Sequence, residues 1–404
     1  MKKVYIVAAK RTAIGKFLGT LAPLSPVELA VPVIKNILEE TKINPVELDE
    51  VIIGNILMAG QKQGIARQAA VKAGIPHSVP AYGLNMICGS GMKSIINACQ
   101  SIKLGEAHLI LAGGTESMSN ANFIIPGSTM RNGQKMGDFK VLDHMVFDGL
   151  TDAFADYHMG VTAENIAEKY SITREAQDTF SWNSQQKAIA AINAGKFKDE
   201  IVPVDIVTRK ETIRFDTDEY PNRATTLEKL GQLKPAFKKE GTVTAGNASG
   251  INDGASFILL ASEDAVKKYN LTPLAEVIAT GQGGVDPAIM GMGPVPAIAT
   301  ALQRAQLKLS DMQLLELNEA FAAQSLGVMQ QLCNDHGMSC EQLSEVTNVN
   351  GGAIALGHPI GASGNRIVVT LVHEMLRRKL SLGLASLCIG GGMGTAIILK
   401  TDKK

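Results

Sequence analysis

At 404 residues the chain is too long for one simple core and implies two or three domains. Hydrophobic residues make up 45% of it and glycines number 40, which excludes a disordered chain and fits an α/β protein rich in tight turns. Lysine plus arginine equals aspartate plus glutamate at 39 each, so no net field draws the protein to nucleic acid or an anionic membrane.

Lys2 and Lys3 precede a short apolar run, Val4 to Ala9, that reads as a first strand and not as a signal peptide. Ser25-Pro-Val-Glu28 is a capping-box pattern with proline at the first helical position, and Leu29, Val33, Ile34, Ile37 and Leu38 supply the apolar face of the helix it starts. Asn44-Pro-Val-Glu47 is a second start signal, Val51 to Gly54 a short strand, and Gln61 to Gly74 a further helix ending at a glycine. Next comes Asn-Met-Ile-Cys-Gly-Ser-Gly over 85–91, followed by Met92, Ile95, Ile96, Cys99 and Ile102 at helical spacing. Cys88 therefore sits where a buried helix begins, and the positive end of that helix should draw its pKa below the usual value of roughly 8.5. The glycines after it leave room for a substrate to approach the backbone. Leu109 to Gly114 is a strand running into Thr115-Glu116-Ser117.

From about Asn120 to Asn247 the alternation lapses into polar, glycine-punctuated sequence around two helical stretches, Thr162 to Tyr170 and Arg174 to Asn193. An excursion of this length between α/β units is expected to be an inserted loop domain that covers a substrate. Phe257 to Ala261 returns to strand character and Asn270 to Pro273 links to a second half that repeats the first in outline. Leu274 to Ala279 matches the opening strand, Leu314 to Leu317 the strand at Val51, and Ala385 to Leu399 the strand around Leu109. Where the first half has its cysteine loop, the second has a glycine-rich stretch over 348–364 containing His358, then a helix with Ile367, Val368, Leu371, Val372 and Met375. A site is expected at the seam between the halves.

Five cysteines, at 88, 99, 333, 340 and 388, form no C-x-x-C pair. An odd number argues against a disulfide framework and for a reducing, cytoplasmic compartment, and no run approaches membrane-spanning length. Cys333 and Cys340 are read as lying in a surface loop near 334–342 with no chemistry, and Arg377-Arg-Lys379 as a helix C-terminus. Asn122 to Gly127, apolar within the loop region, is read as a partner surface.

Four stretches carry candidate chemistry: Cys88 in its loop, Asn318-Glu319-Ala320-Phe321, His358 in Gly-His-Pro-Ile-Gly, and Cys388 in Cys-Ile-Gly-Gly-Gly-Met-Gly. Together and in this order they resemble the thiolase family, and the resemblance extends along the whole chain, including Tyr157-His-Met-Gly160 and the run from Thr242 to Gly250. It implies a five-layered αβαβα fold of two similar halves, with residues 1–119 and 248–271 in the first half, 120–247 in the inserted loop domain and 272–404 in the second half. It also implies a reversible acetyl-CoA C-acetyltransferase that joins two acetyl-CoA into acetoacetyl-CoA and CoA through an acetyl-Cys88 intermediate. The alternative within the family is a degradative 3-ketoacyl-CoA thiolase acting on longer chains; outside it, an inactive acyl-CoA-binding relative.

By the same resemblance His358 deprotonates Cys88 and Cys388 serves as the second acid and base. Asn318 holds a water that forms one oxyanion hole with His358, and the N–H groups of Cys88 and Gly390 form the other. Leu150, His158, Met159, Phe237, Ala245, Ser249, Met290, Ala320 and Phe321 fall where the short-chain members touch coenzyme A. Arg223 lies one place beyond the arginine those members carry, with Asn222 at that position. Family members form dimers and tetramers, so a homotetramer is expected. No complete G-x-G-x-x-G, Walker A or H-E-x-x-H is present, and no cofactor or metal is called for.

Overall fold

The computed structural model describes residues 2–402. Its main strands are β1 (Val4–Thr12), β2 (Glu50–Gly54), β3 (Ala81–Leu84), β4 (Leu109–Ser117), β5 (Asn252–Ser262), β6 (Ala275–Gly284), β7 (Leu314–Leu317), β8 (Leu382–Ile389) and β9 (Met393–Lys400). The helices that matter for the site are α1 (Pro26–Thr41), α2 (Ile65–Lys72), α3 (Ser90–Leu104), α4 (Met159–Lys169), α5 (Arg174–Asn193), α6 (Pro294–Ala305), α7 (Ala322–His336), α8 (Cys340–Val346) and α9 (Ile360–Arg378). The strands run in the order β7-β8-β9-β6-β1-β5-β4-β2-β3 within an eleven-stranded sheet that also takes in two short strands.

Read from its middle outward, that order is a palindrome. β1 and β6 meet antiparallel at Tyr5 with Glu276 and Ile6 with Ala275. Each then pairs antiparallel with the last strand of its own half, β5 or β9, which pairs antiparallel with β4 or β8. Beyond these, β2 lies parallel to β4 and β7 parallel to β8. Where β3 pairs with β2, the second half has only a parallel bridge from Leu315 to Thr347.

The side chains of each strand alternate between two cores. In the first half Val51, Ile53, Leu109, Leu111, Phe257 and Leu259 face outward onto Leu29, Val33 and Ile37 of α1. The intervening Ile52, Ile110, Ile258 and Leu260 face inward onto Met92, Ile95 and Ile96 of α3 and Ile367, Val368 and Leu371 of α9. Leu387, Ile397 and Leu399 of the second half reach the same inner core, while Leu384, Ala396 and Ile398 face outward onto α6 and α7. The result is five layers, with α3 and α9 between the two halves, and each fully buried leucine or isoleucine contributes about 1.5–3 kcal/mol.

The two central helices touch backbone to backbone. A Cβ on Gly91 would lie 2.8 Å from the Asn365 nitrogen, and one on Gly364 would lie 2.6 Å from that of Met92. The glycines after Cys88 thus serve helix packing, and Gly89 faces Ile389. The expectation that they make room for substrate is corrected.

Other local expectations are also revised. Ser25 and Glu28 do form the capping box of α1. Asn44 caps only a single turn over Pro45–Glu47, because β2 begins three residues later. The helix expected from Gln61 starts at Ile65, since Gly60, Lys62 and Gly64 all adopt positive φ and hold a turn. Ala385 to Leu399 is a hairpin and not one strand, turned by Gly390 to Gly392 with φ of +84° and +85° at the last two. Residues 118–251 stand between β4 and β5 where this three-residue turn joins β8 to β9.

Cys333 and Cys340 form a disulfide between α7 and the start of α8. Gly337, at φ +63°, ends α7 and folds the chain back, leaving the two Cα atoms 5.6 Å apart. Their assignment to a bond-free surface loop is therefore corrected, and the argument from cysteine count to a reducing compartment loses force. Arg377 and Arg378 do end α9, and both guanidinium groups pair with Glu374. No helix among the described residues is long and apolar enough to cross a membrane.

Candidate active site

Four loops from the two halves converge on one cavity of about 390 Å³. Cys88 comes from the turn between β3 and α3, Phe321 from the loop after β7, His358 from the turn before α9, and Cys388 from the end of β8.

The Cys88 turn is held rigidly. The Met86 N–H donates to Ser90 Oγ at 2.8 Å, Ser90 Oγ donates to the Ile87 carbonyl at 2.7 Å, and the Ile87 N–H donates to Asn85 Oδ1 at 2.9 Å. Ile87 is forced to φ +45°, a strained conformation for a β-branched residue and one common beside reactive groups. Gly89 caps α3, which begins at Ser90, so Cys88 stands just outside the helix. It is partly exposed into the cavity, yet burial pushes its thiol up to about 11, against the lowering effect of the N–H groups of Gly390 and of Cys88 itself. The direction is opposite to the lowering expected from the helix end, because desolvation outweighs these two N–H groups.

Cys388 is fully buried, and burial together with the nearby Cys88 raises its thiol as well. Gly390 opens on the cavity, where a Cβ would meet Ile87 at 3.4 Å and the Met159 sulfur at 3.6 Å. His358 is buried, its N–H donating to Asn252 Oδ1 at 2.9 Å. Its Nδ1 lies 2.6 Å from Ser363 Oγ and its Nε2 has no partner. Burial, aided by Arg366, pushes its pKa down to about 3, so the ring is neutral at any ordinary pH.

Asn318 is buried and is not among the residues lining the cavity; its backbone N–H donates to the Ser386 carbonyl at 3.0 Å. Neither atom of its side-chain amide finds a protein partner. Next to it, Glu319 accepts from Ser184 Oγ at 2.6 Å, Asn348 Nδ2 at 2.9 Å and the Ile354 N–H at 3.3 Å. This buried carboxylate thus ties the loop after β7 to α5 and to the segment leading to His358.

The outer part of the cavity comes largely from residues 118–251. His158 caps α4, its Nδ1 accepting from the Gly160 N–H at 3.0 Å, and its ring stacks on Phe237 at 4.6 Å. Phe237 meets Phe321 edge to face at 6.2 Å. Leu150, Met159, Ala245 and Ser249 also line the cavity, as do Met290 and Ala320 from the second half. Arg223 does not: it points away, hydrogen-bonded to Asn193 at 3.0 Å on the surface. The sequence reading missed Tyr220, Met118, Ile360 and Ser363. The first three carry only apolar or aromatic signals common to any core. Ser363 follows His358 by five residues, outside the i+3 and i+4 spacing that pairs side chains on a helix, and His358 itself precedes the helix. No group of histidine, cysteine and carboxylate side chains among the described residues could hold a metal.

Two thiols, a neutral imidazole with a free lone pair and a ring of apolar side chains define a site for thiol-based acyl chemistry. The Thiolase, N-terminal domain family matches residues 4–264 and the Thiolase, C-terminal domain family residues 271–401. The chain belongs to the thiolase family. An acetyl-CoA acetyltransferase of Pseudomonas aeruginosa is 54% identical over 403 residues, covering 100% of both chains. Among solved structures, the Bacillus anthracis acetyl-CoA acetyltransferase superposes with a TM-score of 0.94 at 44% identity and 99% coverage of each chain. Human mitochondrial 3-ketoacyl-CoA thiolase in complex with CoA gives 0.92 at 46% identity, covering 99% of this chain and 98% of that one.

Proposed function

We propose that the protein is an acetyl-CoA C-acetyltransferase that condenses two acetyl-CoA into acetoacetyl-CoA and CoA, reversibly and by a ping-pong route. The observation that carries this reading is the meeting of Cys88, Cys388 and the unpartnered His358 Nε2 in one apolar cavity. Because Cys88 rests as a thiol, its proton passes to the neutral His358 as the sulfur attacks the thioester carbonyl. The Gly390 and Cys88 N–H groups, already directed at this sulfur, are suited to the oxyanion that forms beside it. The CoA sulfur leaves with the proton of Cys388, and once a second acetyl-CoA has entered, the Cys388 thiolate so formed removes a proton from its methyl group. The enolate oxygen is held by His358 and a water on Asn318, whose free amide atoms suit that role. The carbanion then attacks acetyl-Cys88, the bond from the acetyl carbon to the Cys88 sulfur breaks, and that sulfur recovers its proton from His358 Nε2, freeing acetoacetyl-CoA.

His158, Met159, Phe237 and Phe321 grip the pantetheine arm, so that residues 120–247 act as the covering domain. Arg223 has no place in that grip. The identity shared with the human 3-ketoacyl-CoA thiolase keeps a second reading in view, in which longer 3-ketoacyl-CoA substrates are cleaved. Thiolysis rates over a series of 3-ketoacyl-CoA chain lengths separate the two. The first reading expects kcat/KM to be highest for acetoacetyl-CoA and to fall with each added ethylene unit; a maximum at a longer chain sinks it. The exposed Phe123, Met130 and Met136 on the excursion support assembly into a homotetramer, checked by sedimentation velocity. A cytoplasmic location is part of the same proposal.

A further inference from the structure

The interior of α9's first turn carries a hydroxyl whose proton can be placed by elimination. Ser363 Oγ lies 2.9 Å from the Pro359 carbonyl and 2.6 Å from His358 Nδ1. A carbonyl can only accept, and a hydroxyl has one proton, so Ser363 donates to Pro359 and must accept from His358. Nδ1 therefore carries the imidazole's proton, and the lone pair is on Nε2. That nitrogen is the one with no protein partner, on a residue that lines the cavity with Cys88. Serine bonding back to the carbonyl four residues earlier is commonplace in helices, and that contact alone would say nothing. The second contact, to a buried ring whose other nitrogen is free, gives the arrangement a purpose.

We infer that Ser363 is a positioning residue for the acyl transfer, fixing the tautomer and orientation in which His358 receives the Cys88 proton. In the step it supports, the proton leaves Cys88 Sγ for His358 Nε2 while the sulfur forms its bond to the acetyl carbonyl carbon. The bond from that carbon to the CoA sulfur then breaks, and the departing sulfur takes the proton of Cys388, leaving Nε2 protonated. Throughout, Nδ1 keeps its proton and donates it to Ser363 Oγ, a hydrogen bond that strengthens as the ring becomes cationic. Without the serine, the neutral ring can place its proton on Nε2, where it cannot act as a base.

This inference rests on the acyltransferase reading, and the test separates the two. Single-turnover acetylation of Cys88 by acetyl-CoA is followed by rapid quench in the full-length protein, Ser363→Ala and Ser363→Thr, with the Kd for CoA measured alongside. Absence of acetylation in the unaltered protein would defeat the acyltransferase reading itself. General-base assistance is worth about 10² to 10⁴, so losing its alignment in Ser363→Ala should slow acetylation by about 10- to 100-fold. The CoA Kd should stay within twofold, and Ser363→Thr, which keeps the hydroxyl, should recover most of the lost rate. Acetylation in Ser363→Ala within twofold of the unaltered protein overturns the inference. So does a slow Ser363→Ala accompanied by weakened CoA binding, or a Ser363→Thr as slow as the alanine variant, since either marks a packing role.

Discussion

Removing the base should expose the resting state of the nucleophile. With its thiol pushed up to about 11, Cys88 at pH 7.5 is ionised to only about 3 parts in 10⁴, against roughly 1 part in 10 for an ordinary thiol at 8.5. In the unaltered protein that scarcity is bypassed, because the neutral His358 accepts the proton during attack. In His358→Ala no such route exists and only preformed thiolate can react. Alkylation of Cys88 by iodoacetamide in this variant, quantified by peptide mass mapping across pH 7 to 10.5, should therefore be slow. It should rise about tenfold per pH unit, with no plateau below pH 10. Acetyl transfer at pH 7.5 should fall by about 10² to 10⁴. A plateau at or below pH 8.5 would refute the reasoning, since it would mean that the helix and the Gly390 N–H outweigh desolvation and that Cys88 rests as a thiolate.

The same buried imidazole bears on stability in acid. Unfolded, His358 takes up a proton as the pH drops through about 6.5; folded, it stays neutral to about 3. Stability is thus lost as pH falls between these values, by about 1.4 kcal/mol per unit. Urea unfolding at pH 7.0 and 5.0 should show a loss about 2 kcal/mol larger for the unaltered protein than for His358→Gln, and equal losses would contradict the assigned neutral state. In the outer cavity, a Cβ at Gly160 would run into the Phe237 ring, which is stacked on His158. An aromatic pair of this kind is worth about 0.5–1.5 kcal/mol, so Gly160→Ala should raise KM for acetyl-CoA about 2- to 10-fold with kcat little changed. A fall in kcat with KM constant would place Phe237 in the chemistry instead of the grip.

What could be read from the sequence was what local physics decides. The Ser25 and Glu28 capping box, the apolar stripe of α3 and the inner-facing residues of α9 depend on neighbours within a turn or two. The four chemical loops were legible through their resemblance to the thiolase family. What depends on distant contacts was not. The Cys88 pKa is set by enclosure between two halves of the chain, and the glycines beside it by the closeness of α3 to α9. The hairpin of β8 and β9 hid inside one apolar run because its turn is only three glycines long. Arg223 looked near enough in sequence to serve the ligand, but its side chain reaches Asn193 on the surface.

The central claim is that Cys88 becomes covalently acetylated. Brief mixing of the purified protein with acetyl-CoA, acid quench and peptide mass mapping tests it most directly, with Cys88→Ala as control. The account predicts an acetyl group on the peptide bearing Cys88, release of free CoA, and no modification in the control. Tight binding of acetyl-CoA with no acetyl-enzyme formed, or an acetyl group on Cys388 instead, would contradict it.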